Sequence, residues 1–530
     1  MNSLTNDFIF DEHVILENNI YAKNVHLIPR LFSKPTGEDY YRPFEVLTYS
    51  LEYPFWKLNP AGYRLDNVLI HWLNSFLVFL LIGAILKNSP LALLTAVLFC
   101  VHPINSYLPA VIAGRAHLLE TMFILLAMLA FTHHASTGKK YHCALSLMFF
   151  ILALFSREGA LLLPLFILIC AFLLRLNGKK TAFCLIPYSV VAVVYLLLRS
   201  IFLPCDKLNV LNALSLQRFG EFIWFMQSYV GQFILPYELR MMIFGNSAFL
   251  RLVFFWFYFA LTAYFLIRAL AVRDKFSAAG ALLYITGLLP VINLTDTIKL
   301  YGPVLSEQYA YMASIGFFVF ISGLIIKLKS SFNKTATALS IALASCYAIL
   351  TMFNNAHYKD DLTFYQYLRS VSPGHTFTRI NLAVSYYKHK MYEKAVVEAQ
   401  SALSADQGLW EAYLVLGNIA IAKGDLERAI VMFKKVIAMN PRASEGYNNL
   451  GCVYKLQGHY DQAIAQFQKA MALNPEYPDA MHNLGLLYGD TGNLDKAMSL
   501  WGQALARDPK DKVAQENIER ARKMKEGTGE

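Results

Sequence analysis

The sequence predicts an all-α protein, a multispanning helical membrane domain followed by an α-solenoid. Three observations carry this prediction: 56% of the 530 residues are hydrophobic and only 16% charged, apolar runs of bilayer-spanning length recur through residues 67–354, and a 34-residue period follows them. A chain this apolar must place much of itself in lipid. Its net charge of +10 does not point to nucleic acid, because Lys and Arg gather in short gaps between apolar runs and form no basic face, so no nucleic-acid partner is expected. The seven cysteines are scattered, with Cys100, Cys143, Cys170 and Cys346 inside apolar runs and no metal-ligand spacing, which predicts free thiols. The first 15 residues carry acids and no basic n-region, so they do not read as a cleavable signal peptide.

Residues 1–66 are rich in Tyr, Pro, Asn and charge and read as a loop in which the adjacent acids Asp11 and Glu12 sit among apolar residues. Apolar runs then fall near 67–87, 90–112, 116–136, 141–156, 159–177, 181–203, 249–271, 276–293, 310–328 and 336–353, which makes about ten spans in a membrane domain of residues 67–354. The run Phe219–Pro236 is interrupted by Glu221, Gln227 and Gln232 and reads as an amphipathic stretch lying flat at the interface. With that count, the inward gaps hold Lys87, then Lys139 and Lys140, then Arg175, Lys179 and Lys180, then Arg268, Arg273 and Lys275, then Lys327, Lys329 and Lys334. Only Asp274 opposes them, which is the positive-inside pattern. The same count puts the first loop and the C-terminal half on the non-cytoplasmic side. A charged loop of about 66 residues crosses a bilayer poorly without a helix ahead of it, so a further upstream span is expected.

After a linker at 355–375 the composition changes. Leu416-Gly417, Leu450-Gly451 and Leu484-Gly485 recur in register, followed by Gly424, Gly458 and Gly492, by Ala429, Ala463 and Ala497, and by Pro441, Pro475 and Pro509. This is the period of tetratricopeptide (TPR) helix pairs: small residues let paired helices approach, and each Pro ends the second helix. Four repeats are predicted at 376–409, 410–443, 444–477 and 478–511, then a charged capping helix and tail at 512–530. Stacked repeats form a groove for extended peptides, and Asn381, Asn449 and Asn483 share one repeat position from which amides can pair with a peptide backbone. Asn is also common at that position whatever such repeats bind.

Several segments resemble one family in one order: DFIFDEHVILENN near the start, YYRPFEVLTYSLEY at Tyr40–Tyr53, GYRLDNVLIH at Gly62–His71, HPINSYLPAVIAGRAHLLE at His102–Glu120, FSREGALLLP at Phe155–Pro164 and SEQYAYMASIGF at Ser306–Phe317. With the repeats behind them, they resemble the transmembrane-and-TPR O-mannosyltransferases (the TMTC family) and their bacterial TPR relatives, within the GT-C glycosyltransferase superfamily. The resemblance implies a GT-C-type membrane module, a polyprenyl- or dolichyl-phosphate sugar as donor, mannose in the eukaryotic members, and a protein hydroxyl as acceptor. It implies no cofactor, although an adjacent acid pair leaves a divalent metal open. The implied location is a bacterial inner membrane, or the endoplasmic reticulum in a eukaryote.

The chemistry of these residues is consistent with that expectation. Sugar transfer needs a base for the acceptor hydroxyl, for which Asp11 is the candidate with Glu12 as orienting neighbour, and cations for the departing phosphate. Arg42, Arg115 and Arg157 lie at outer span edges and offer guanidinium forks to phosphate, although snorkelling or helix-end pairing accounts for each taken singly. His102, before Pro103 at a helix break, either lines the donor cavity or bonds freed backbone. Glu307 matches a family Glu and is the candidate on the acceptor side. The family has Glu where this chain has Tyr107, often an acid at His117, Arg at Gln308 and Pro at Ala313. These departures keep a second expectation alive, a membrane-anchored TPR adaptor with little or no turnover. No P-loop, GxSxG or HExxH occurs, so nucleotide hydrolysis, serine hydrolysis and zinc proteolysis have no support.

Overall fold

The computed structural model describes residues 6, 8–9, 12, 15–16, 19–32, 41–202, 226, 229–234, 256, 260, 263–264, 267, 274–290, 307–329, 333–371, 373–475, 477–507 and 511–527. The chain forms two compact units, Met1–Phe364 and Tyr365–Glu530. Among the described residues every regular element is helical, as the sequence predicts.

In the first unit, five described helices are long and apolar enough to cross a bilayer: Pro60–Leu86, Ile112–Thr137, Cys184–Ile201, Gln308–Leu328 and Lys334–Tyr358. The bent pair Ser89–Val101 and Pro103–Ala110 adds a sixth if it is one crossing. The protein is therefore an integral membrane protein. The runs predicted at 141–156, 159–177 and 276–293 also form helices, at Lys140–Ser156, Leu163–Leu173 and Lys275–Leu288, each shorter than the roughly 20 residues of a full span. The run predicted at 249–271 lies mostly outside the described residues.

Helix boundaries follow local chemistry. Asn59 caps Pro60–Leu86 by accepting from Ala61 N, and Lys87 ends it in a left-handed conformation. The 58° bend between Ser89–Val101 and Pro103–Ala110 comes from Pro103, which disfavours helical backbone at His102 and leaves it extended. Polar side chains fasten the helices to one another: Tyr311 Oη lies 2.6 Å from His71 Nδ1, Asn105 donates to Ser314 Oγ at 3.1 Å, and Asn74 donates to Leu118 O at 3.0 Å. Lys275–Leu288 and Tyr311–Lys329 meet backbone to backbone, since a Cβ on Gly316 would stand 2.2 Å from Tyr284 N.

Three expectations change. The predicted loop 1–66 contains the helix Pro43–Trp56, opened by a proline at the position where its missing N–H costs nothing and burying Val46, Tyr49 and Ser50. The predicted linker 355–375 contains Asp361–Val371, in which Phe364 and Leu368 are buried at helical spacing. The stretch expected flat at the interface contributes Tyr229, Val230, Gln232 and Phe233, all buried; Phe233 stacks on Phe317 at 4.8 Å. Burial of this part of the run, Gln232 included, is not something periodicity alone reveals.

The second unit is the solenoid. Its pairs are Thr376–Lys388 with Tyr392–Ala405, Trp410–Ala422 with Leu426–Met439, Ser444–Leu456 with Tyr460–Leu473, and Pro478–Asp490 with Leu494–Arg507. Gly424, Gly458 and Gly492 turn each pair at φ of 78°, 79° and 82°, and in the first repeat Lys390 takes the same turn at φ 59°. The capping helix Lys512–Gly527 buries Ala514 and Ala521 against Trp501 and Ala504.

Candidate functional site

The N-terminal segment is fixed to the membrane unit through Glu12, whose side chain is wholly buried. Its Oε2 accepts from Arg64 Nη2 at 2.8 Å and from Ile9 N at 2.9 Å, and its Oε1 accepts from Ile112 N at 2.5 Å. Arg64 is equally buried and also donates to Ala110 O at 2.9 Å and to Asn6 O. Glu12 is therefore an anchor with both oxygens engaged, a correction to its place beside the base. Asp11 lies outside the described residues.

The three arginines separate. Arg115 is fully buried and engaged on all sides: it donates to Asn67 Oδ1, to Glu52 Oε1 at 2.5 Å, to Thr48 Oγ1 at 3.3 Å and to Tyr63 O at 3.0 Å. It braces the Pro43–Trp56 and Pro60–Leu86 helices, so it is corrected from phosphate ligand to structural tie. Burial pushes the Glu52 carboxyl above its ordinary range, and the Arg115 charge only partly opposes this. Arg42 donates from Nε and Nη2 to Glu158 Oε2 at 3.3 and 3.2 Å and stays partly exposed. His102 is enclosed, with Nδ1 accepting from Ile104 N at 3.2 Å and Nε2 2.9 Å from Phe233 O. Of its two readings, the bond to freed backbone is the observed one, and donor contact is corrected.

Arg157 differs. It ends Lys140–Ser156 in an extended conformation before the short helix Glu158–Leu162, and this break borders a small cleft of about 30 Å³. His117, Glu120, Thr121, Gln308 and Tyr309 line the cleft with it. The Arg157 pair with Glu120 is long, 3.5 Å; its guanidinium lies over the Tyr309 ring at 4.9 Å; and its Nε has no hydrogen-bond partner. Glu120 seats against Gly159, where a Cβ would fall 2.4 Å from Oε1 and the carboxylate would have to move. Glu307 begins the short helix Glu307–Ala310 and its side chain lies outside the described part; its neighbour Gln308 lines the cleft.

Sequence reading missed Arg64, Glu52, Glu120 and Glu158. One signal was available: an acid or arginine within or beside an apolar run must find an opposite charge. Four arginines and four glutamates pair off in this way.

In the solenoid the asparagines form a chain of bonds. Asn483 donates to Asn448 at 2.9 Å, Asn448 to Asn449 at 3.1 Å and Asn449 to Asn418 at 2.9 Å, across three repeats. Asn381 stands apart and donates to Phe377 O of its own helix at 2.9 Å. Each linked amide keeps further donor and acceptor capacity.

A family model described as TPR repeat matches residues 453–492, and models described as Tetratricopeptide repeat match 411–442, 432–465 and 479–507. The chain is 24% identical over 409 residues to a protein O-mannosyl-transferase of Caenorhabditis elegans, covering 72% of this chain and 57% of that protein. It is 30% identical over 172 residues to the protein O-mannosyl-transferase Tmtc1 of Drosophila melanogaster, covering 30% and 20%. With TMTC3 of Homo sapiens it shares 33% over 141 residues, covering 25% and 15%. The chain thus spans little more than half of the first relative and a fifth or less of the other two. A thermophilic TPR protein of Thermus thermophilus is 25% identical with a TM-score of 0.29, covering 33% of this chain and 93% of that one. The curated relatives are O-mannosyl-transferases, as the motifs imply.

Proposed function

We propose that the protein is a membrane glycosyltransferase that moves a sugar, mannose by analogy with its relatives, from a polyprenyl-phosphate donor to a protein Ser or Thr hydroxyl. The observation that carries this reading is the cleft in the membrane unit where Arg157, with an unpartnered Nε, meets His117, Glu120 and Gln308. Asp11 takes the proton from the acceptor hydroxyl, the oxygen attacks C1 of the sugar, and the C1–O bond to phosphate breaks with inversion. The departing polyprenyl phosphate keeps the electron pair, and Arg157, aided by Arg42, stabilises its charge. Positioned general-base catalysis accounts for about 10²–10⁴ in rate. The TPR groove brings the polypeptide acceptor, with the asparagine chain offering amides to its backbone and Glu307 beside it, on the non-cytoplasmic side. No cofactor enters this scheme.

A second reading, the adaptor, is favoured by one observation: Arg42, Arg115 and Arg157 each already face a carboxylate. The test is transfer from a radiolabelled polyprenyl-phosphate sugar in membranes, wild type against Asp11→Asn. The transferase reading expects incorporation by wild type and a loss of about 10²-fold or more in the variant. Equal incorporation in both removes Asp11 as base, and no incorporation by wild type leaves the adaptor.

A further inference from the structure

The cleft contains a side chain that the scheme above does not use. His117 is 7% exposed, and neither ring nitrogen has a hydrogen-bond partner among the described residues. Its ring packs edge-to-face with Tyr309, at 5.6 Å between centroids. Leaving a buried polar group unsatisfied is costly, so an imidazole with two open nitrogens facing a cleft is built for something that enters it. The neighbouring Arg157 Nε–H is unpartnered in the same way.

The chemistry of the open positions narrows the occupant. A neutral imidazole presents one donor and one acceptor on opposite sides of the ring, Gln308 adds an amide, and the Arg157 charge is already faced by Glu120. A ligand matching this set carries several groups that each donate and accept, as the hydroxyls of a hexose do. A bare phosphate only accepts and cannot satisfy the imidazole acceptor. We infer that His117 is the sugar-selecting side chain of the cleft, hydrogen-bonding hydroxyls of the hexose carried by the lipid donor, while Arg157 takes the donor phosphate. This rests on the transferase reading and adds to it a specificity-determining residue at a position where the sequence departs from its family.

The test titrates the purified full chain in nanodiscs with polyprenyl-phosphate mannose and with bare polyprenyl phosphate. Wild type is expected to bind the sugar-bearing lipid about tenfold more tightly, the worth of one or two hydrogen bonds. His117→Leu should lose that preference while keeping its affinity for the bare lipid, and His117→Gln, which retains a donor and an acceptor, should keep the preference within about threefold. A preference undiminished in His117→Leu overturns the assignment and leaves the transferase reading standing. If wild type shows no preference for the sugar, the assignment falls, and if it binds neither lipid, the transferase reading falls with it. Should His117→Leu not fold, diethyl pyrocarbonate footprinting of wild type decides: protection of His117 by the mannosyl lipid and not by the bare one upholds the assignment, and equal labelling with both overturns it.

Discussion

Glu12→Gln separates an anchoring role from a catalytic one. The carboxylate receives three hydrogen bonds, from Ile9 N, Arg64 Nη2 and Ile112 N, and both it and Arg64 have 0% side-chain exposure. Glutamine has nearly the same shape but one oxygen. Whichever way the amide turns, its NH₂ faces donors, and the buried charge that Glu12 sets against the Arg64 guanidinium is lost. Removing one partner of a buried pair costs about 3–5 kcal/mol, so a loss of that size is expected. The assay is reversible denaturant unfolding of the detergent-solubilised protein, with protease resistance of the first 60 or so residues as a local readout. The double variant Glu12→Gln with Arg64→Met should recover a large part of the loss, because the pair is coupled and its desolvation is relieved. A single variant within about 0.5 kcal/mol of wild type, the range of ordinary surface substitutions, refutes the anchor. Lost turnover at unchanged stability would return Glu12 to the catalytic group.

Two further outcomes follow from the backbone and from burial. Lys390→Gly should stabilise the solenoid by about 1 kcal/mol, because a side chain at φ 59° carries a left-handed penalty of about 1–2 kcal/mol that glycine lacks; urea unfolding checks this, and an unchanged or lower midpoint contradicts it. Glu45, outside the candidate spans, is buried, and this desolvation raises its carboxyl above 4.5 in the folded state. Its stabilising contribution is therefore fully present below that value and declines as pH rises through the folded pKa. Glu45→Gln should flatten that decline in unfolding midpoints measured from about pH 4 to pH 8, and an identical slope in both proteins contradicts the assignment.

The architecture was largely legible because its signals are dense. A 34-residue period fixes helix pairs without reference to anything distant, and Gly424, Gly458 and Gly492 mark the turns the structure contains. Spans were legible where apolar residues are continuous, and least so where a polar residue is buried inside the protein, as Gln232 is. The helix Pro43–Trp56 was missed because its buried face includes Glu45 and Ser50, which hydropathy counts as loop. The candidate site was legible only as a set of residue types. Nothing in the spacing of Arg42, Arg115 and Arg157 distinguishes a guanidinium braced by Glu52 from one lying open beside Tyr309; that difference is made by residues more than 60 positions away in sequence.

That separation has a physical logic. A guanidinium fork matches a carboxylate and a phosphate by the same geometry, so an arginine near lipid is stable only if one or the other is present. Arg64 and Arg115 have short contacts to Glu12 and Glu52, the first fully buried and the second partly so, and an incoming phosphate would have to displace a bond of 2.8 or 2.5 Å. Arg157 faces Glu120 at 3.5 Å with a free Nε and an adjacent cleft, so a phosphate can join it without breaking anything as strong. The residues that resemble a donor clamp therefore divide by the strength of their resident pairs. The tight ones hold the N-terminal segment and brace neighbouring helices, and the Arg157 pair is the longest of the four at 3.5 Å.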